Sequence, residues 1–165
     1  MSLTDILVSI AIGICATATI DAWALMLRRA FDVRSLDLCL LGRWVLHMPD
    51  GQFVHGSIAS AASKPRECAV GWTMHYLIGV AFAVVFVTLV SVSWLARPTL
   101  LPALAFGIVT VLVPFLTLQP ALGLGIASAN APHPWKARLR SLATHAVFGA
   151  GLWMWAWVIR DLVTR

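Results

Sequence analysis

Charge is what this sequence has least of. Of its 165 residues only 12% are Asp, Glu, Lys or Arg, against about 25% in an ordinary soluble domain. Hydrophobic residues reach 60%, where roughly 45–50% is usual. That balance excludes a soluble globular domain. It equally excludes a disordered chain, which needs low hydrophobicity and high net charge. Cysteine occurs three times and tyrosine once. Cys15, Cys39 and Cys68 have no CxxC or other metal-ligand spacing, so no disulfide is expected and they read as small buried residues. Catalytic signatures are also missing: there is no Walker loop, HExxH, nucleophile elbow or dinucleotide fingerprint.

Long uncharged runs fill the space that charge leaves. Residues 6–27 are interrupted only by Asp21, and residues 68–96, 98–135 and 141–159 carry no charge. A helix needs about 20 apolar residues to cross a ~30 Å bilayer core. Each run therefore holds one span, placed at 4–27, 72–95, 99–126 and 141–160. The expected fold is all-α, an integral membrane bundle of four transmembrane helices in a single membrane domain, 1–165, with a long loop at 28–71. Ala16, Thr17 and Ala18 have the small-x-small form of a signal cleavage site. Residues 1–5 lack Lys and Arg, however, and the apolar run continues to Leu27, so a retained span is expected.

Basic residues set the expected orientation. Arg28, Arg29, Arg34, Arg43, Lys64 and Arg66 fall between spans 1 and 2, and Lys136, Arg138 and Arg140 between spans 3 and 4. Opposite them stand Arg97, Arg160 and Arg165. Nine against three places both basic loops in the cytoplasm and both termini outside. The net charge of +5 is thus a topology signal rather than a nucleic-acid footprint. Trp72, Trp94, Trp135, Trp153, Trp155 and Trp157 lie near span ends, as interfacial rings do.

The spans carry four polar residues that matter most: Asp21, His75, Gln119 and His145. On these span positions all four fall in the cytoplasmic half of the bilayer. An acid at mid-membrane costs about 2.5–3.5 kcal/mol on insertion scales and normally faces the bundle interior. Four such residues at one depth point to one ligand-binding site. Small residues share their faces: Gly13 and Thr17 with Asp21, Gly71, Gly79 and Ala83 with His75, and Gly149 with His145. Span 3 differs, since Pro102, Pro114 and Pro120 predict a helix kinked or broken near Gln119. Tyr76 is adjacent to His75 and points to a different helix face. A faint repeat pairs Thr19-Ile20-Asp21 with Thr117-Leu118-Gln119, and His-x-x-x-Gly recurs in spans 2 and 4. A parallel duplication would set Asp21 opposite Gln119 and His75 opposite His145. The competing reading is that these side chains are interhelical hydrogen-bond partners, each worth about 0.6 kcal/mol on average.

In the 28–71 loop, residues 38–48 predict a short helix lying on the membrane surface. Leu41, Trp44, Val45 and Met48 would form its apolar face, with Arg43 and His47 on the flank. Pro49-Asp50-Gly51 marks a turn, and the small polar residues 56–63 predict a mobile stretch. The segment reads as an interfacial anchor or as a lid. His47, His55 and His133 are individually ordinary, and His47 with His55 would extend a metal or proton path from the buried pair.

Three functions fit these residues. A small binding or ion/proton-coupled transport module would use Asp21, His75, Gln119 and His145. It would need a homo-oligomer or a larger membrane partner, because four spans enclose little volume. A b-type haem protein would take His75 and His145 as axial ligands, with Gly79 and Gly149 making room for the porphyrin. A membrane-embedded metal-dependent enzyme acting on a lipid would bind its metal through His75, His145 and Asp21.

Several blocks also carry a resemblance. Gly42-Arg43-Trp44 with His47-Met48-Pro49 and His55, the run Ala96-Arg97-Pro98-Thr99-Leu100-Leu101-Pro102-Ala103, Gln119-Pro120-Ala121, and Pro134-Trp135-x-Ala137-Arg138-Leu139 leading to Thr144-His145 together resemble a family of bacterial inner-membrane proteins known only as a domain of unknown function. The resemblance spans about 21–149. It implies a four-span membrane protein and assigns no activity.

Overall fold

The computed structural model describes residues 1–33 and 35–163, which form helices and turns with no strand among them. Arg34 and Arg165, both counted in the charge balance, lie outside the described residues. In chain order the helices are α1 (Leu3–Phe31), α2 (Leu38–His47), α3 (Glu67–Val90), α4 (Ser93–Ala96), α5 (Leu100–Thr110), α6 (Gln119–Ala121) and α7 (Pro134–Val163). Among the described residues four helical stretches are long and apolar enough to cross a membrane: Leu3–Phe31, Glu67–Val90, Leu100–Ala121 and Pro134–Leu162. Helices of the length and composition expected of the four spans are therefore present.

Their ends differ from the expected ones for local reasons. Ser2 starts α1 with a capping box, its hydroxyl accepting from the Asp5 amide while the Asp5 carboxylate accepts from the Ser2 amide. Asp32 closes the helix in the left-handed region at φ 50°. Helix α3 begins at Glu67 rather than 72, because the Glu67 carboxylate is neutralised by Arg43. It stops at Val90, where Ser91 turns to φ 78°. The third span ends at Ala121 rather than 126, since Gly123 and Gly125 reverse the chain at φ 90° and 71°. Helix α7 begins at Pro134, a residue pre-set for the first helical turn, so Lys136, Arg138 and Arg140 ride on it. The proline-rich span breaks as expected. A π-turn runs over Pro114–Leu118, and the Gln119 amide reaches back to the Pro114 carbonyl.

The chain groups into two compact units. The first takes in α1, residues 76–110 and α7 from residue 143. Its core holds Ile12, Ala16, Ala83, Phe86, Leu152 and Ala156, with the Phe86 ring 4.7 Å from Trp94 and 5.1 Å from Phe106. The small-residue faces read from the sequence meet one another here. A Cβ on Gly13 would stand 2.7 Å from the Val80 Cα and 3.0 Å from the Ala83 Cβ, and one on Gly79 would run into the Thr17 side chain. Outward-facing leucines remain bare: Leu89 is 72% and Leu101 78% exposed. Apolar surface of that extent is what lipid covers in a membrane span.

The second unit takes in residues 35–75 and 111–142. Here α2 exists as expected, capped by the Asp37 carboxylate on the Cys39 amide at 2.9 Å. Its docking face is not the expected one alone. Leu41 is buried, but so are Gly42 and His47, and Arg43 turns into the protein instead of lying on a flank. A Cβ on Gly42 would strike the Glu67 carbonyl and come within 2.6 Å of the Gly71 amide nitrogen, and one on Gly71 would strike the Leu38 carbonyl. Only glycine at both places lets α2 cross the start of α3 backbone to backbone.

That crossing overturns the expectation for two cysteines. Cys39 and Cys68 are joined as a disulfide with Cα atoms 3.9 Å apart, while Cys15 is free. Twenty-nine residues separate the pair in sequence. Only the turn between α2 and α3 brings them together.

Candidate functional site

In the first unit, α1 and α3 carry their packed faces down to Asp21. There the Tyr76 hydroxyl donates to the Asp21 carboxylate at 2.8 Å. Both residues are half-buried. Around this pair the helices are held by small side chains. The Thr17 hydroxyl donates to its own helix at the Gly13 carbonyl, 2.7 Å away, so it adds little polarity to the interface. Thr19 accepts from the Trp155 indole at 3.0 Å, tying α7 to α1 two residues before the acid. A cleft in this unit, about 270 Å³, is lined by Asp5, Val8, Val92, Leu95 and Arg160 among others, and by neither Asp21 nor His145.

His145 sits on the same unit's α5–α7 contact. Its Nδ1 lies 2.8 Å from the Thr110 hydroxyl, which in turn donates to the Gly107 carbonyl at 2.5 Å. A hydroxyl that has given its one proton to a carbonyl can only accept from the ring, so Nδ1 carries the hydrogen. The helices touch through glycine just beside it: a Cβ on Gly149 would stand 2.5 Å from the Ala103 carbonyl.

The remaining two expected residues belong to the second unit. The His75 ring stacks edge-on with Trp72, centroids 6.0 Å apart. Gln119 follows the π-turn and is buried. Its carbonyl oxygen accepts from the Ser128 hydroxyl at 2.9 Å, and its amide donates to Ser141 at 3.4 Å. The Leu124 amide bonds the Gln119 carbonyl at 2.8 Å and the Arg138 guanidinium bonds the Ala127 carbonyl at 2.8 Å. Gln119 thus sits where the span stops and staples the turn that follows. Asp21 lies instead in an unbroken helix, so the faint repeat pairing these two positions has no local counterpart.

Sequence reasoning missed a second constellation, in the loop. Arg43 makes a bidentate pair with Glu67, both contacts at 2.8 Å, and its third nitrogen donates to the carbonyls of Ala59 and Ala61 at 3.2 and 3.1 Å. The Lys64 amide donates to Glu67 at 2.9 Å, and the Lys64 ammonium pairs with Asp50 at 2.7 Å. That ammonium holds the Asp50 carboxyl below its ordinary value. His47 is 6% exposed and bonds the Ala62 carbonyl at 2.9 Å. Residues 56–63, expected to be mobile, are tied down by these bonds and by the Ile58 amide on the Leu122 carbonyl at 3.1 Å. The signals were residues read one at a time: an arginine on a helix flank and a glutamate left outside its helix.

Among the described residues no three His, Cys, Asp or Glu side chains converge to hold a metal. The model of a family described as a protein of unknown function matches residues 10–159. No curated protein and no solved structure matches the chain.

Proposed function

We propose that this chain, which belongs to the DUF2938 family of unknown function, is a multi-pass inner-membrane module that binds a cation or proton at Asp21. The observation that carries the reading is the Tyr76 hydroxyl on the Asp21 carboxylate at 2.8 Å. It joins the one acid well inside the apolar runs to the one tyrosine of the chain. A carboxylate in a span is costly unless it is paired or used, and the Tyr76 hydroxyl is a neutral donor to it. His75 and His145 are further proposed proton acceptors, each within its own unit, and Gln119 positions the turn that ends the third span. Four spans enclose little volume, so the module works as a homo-oligomer or beside a larger membrane partner. Helix α2, with the half-buried Trp44, lies at the cytoplasmic interface as an anchor.

Paired substitutions test this. Asp21→Asn keeps an oxygen for Tyr76 and removes the charge, while Tyr76→Phe removes the bond and keeps the charge. The expected result is that Asp21→Asn folds as wild type and abolishes charge uptake in proteoliposomes subjected to a pH jump. A purely structural pair would leave uptake unchanged in Asp21→Asn.

The haem alternative needs clearance beside His75 and His145. Neither glycine offers it, since the space at Gly79 is taken by Thr17 and that at Gly149 by the Ala103 carbonyl. The residues present do not fit a porphyrin there. Purified protein from haem-replete cells is expected to show no Soret band, and a stoichiometric band would restore that reading. The lipid-enzyme alternative has no three-residue metal set among the described residues.

Orientation has its own test in the Cys39–Cys68 pair. The balance of basic residues places the 28–71 loop in the reducing cytoplasm. Thiols trapped by alkylation in intact cells should then be free at both positions. Labelling that appears only after added reductant would put the loop on the oxidising side and invert the topology.

A further inference from the structure

Among the described residues, two buried ring nitrogens of the second unit have no hydrogen-bond partner: Nδ1 of His47 and Nε2 of His55. The two imidazoles meet edge-on, with centroids 5.2 Å apart and planes at 72°. His47 is nine-tenths buried, and its Nε2 lies 2.9 Å from the Ala62 carbonyl. A carbonyl only accepts, so Nε2 carries the hydrogen and the neutral ring presents a bare lone pair at Nδ1. A metal-binding histidine is oriented in the same manner, by donating its other N–H to a backbone carbonyl. His55 is fixed from the opposite side. Its amide bonds the Ala121 carbonyl at 2.9 Å, and Gly123, at φ 90°, lies against the carbonyls of His55 and Gly56.

The separation of the rings has a chemical meaning. Two imidazoles on one tetrahedral zinc, with Zn–N of about 2.0–2.1 Å, hold their ring centroids about 5 Å apart. Nearby charge does not oppose a cation, because Arg43 is matched by Glu67 and Lys64 by Asp50. We propose that His47 and His55 form a two-histidine site for a divalent transition-metal ion of the zinc class, bound through His47 Nδ1 and His55 Nε2. Among the described residues no third His, Cys, Asp or Glu completes a set, so water or an exogenous ligand fills the open positions. The site is separate from Asp21 and stands whether or not the transport reading does.

The test is a titration of tag-free, detergent-solubilised protein with cobalt(II), read by its visible absorption and competed with zinc. Cys39 and Cys68 are first oxidised to the disulfide of the structure and reductant is left out, so that neither thiol binds the metal. One ion per chain is expected, with binding weakened in acid because a ligating imidazole must be neutral. His47→Gln retains an N–H for the Ala62 carbonyl and so separates ligation from folding. His47→Gln and His55→Gln should each weaken binding by about a hundredfold, with His133→Gln as an unaffected control; second-shell losses alone reach about 10–100-fold. Thermal unfolding without metal should match wild type for His55→Gln. The proposal is overturned if wild type binds no cobalt or zinc at micromolar concentration. It is also overturned if both substitutions leave binding intact, or if binding is lost only with His75→Gln or His145→Gln.

Discussion

Replacing Gly149 with leucine should leave no stable folded protein, and replacing it with alanine should cost about 1–3 kcal/mol, the usual penalty for overpacking. The obstacle at this position is main chain. A Cβ would stand 2.5 Å from the Ala103 carbonyl oxygen and 2.9 Å from the Leu104 Cα, while one on Gly107 across the contact would stand 2.6 Å from Gly149 itself. No rotamer change relieves such a clash, so α5 and α7 must separate. In lipid nothing pushes apolar helices together as water does, and close backbone packing is a main source of their association. Separation would also pull His145 from Thr110, one turn along the same contact. Met154→Leu supplies the control. Met154 is 39% exposed on α7, and surface substitutions usually stay within about 0.5 kcal/mol. Thermal unfolding and size-exclusion profiles in mild detergent read the series. An Ala variant as stable as wild type would mean that α5 and α7 are not in contact at Gly107 and Gly149.

Much of this architecture is legible in the sequence because it follows from amounts and periods. Uncharged runs give spans, and small residues four apart give the faces that meet at Gly13, Gly79 and Thr17. What is not legible depends on partners far along the chain. Glu67 looks like loop because its charge is visible and Arg43, 24 residues earlier, is not visibly its partner. Cys39 and Cys68 look unrelated because only the Gly42–Gly71 crossing brings them within reach.

The candidate site shows the same division. Asp21 stands out from composition alone, as a lone acid inside a span. Tyr76 was set aside because it points away from the His75 face, yet its hydroxyl is the group that meets Asp21. Helical spacing tells which residues share a face; it does not tell which face a neighbouring helix covers. Gln119 also stands out as a polar residue in an apolar run, but its bonds to Ser128 and Ser141 depend on the turn that follows the span, which spacing does not show.

The largest functional effect is expected at Asp21. Removing its charge should eliminate coupled ion uptake while leaving the fold intact, since asparagine still offers an oxygen to the Tyr76 hydroxyl. Asp21→Glu, which keeps the carboxylate but displaces it by one methylene, should retain uptake at a reduced rate. Tyr76→Phe should retain uptake as well, with some loss of stability, because the hydroxyl's bond is that of an interhelical partner, worth about 0.6–1.7 kcal/mol in membrane proteins.

The most direct test of the central claim is infrared difference spectroscopy of the reconstituted protein across a pH titration. A protonated carboxylic acid absorbs apart from a carboxylate, and Asp21 is the one acid well inside the apolar spans. A carboxyl band that appears and disappears with pH in wild type, is absent in Asp21→Asn and shifts in Tyr76→Phe is the predicted result. A wild-type spectrum indistinguishable from that of Asp21→Asn across the titration would contradict an ion-binding role for this residue.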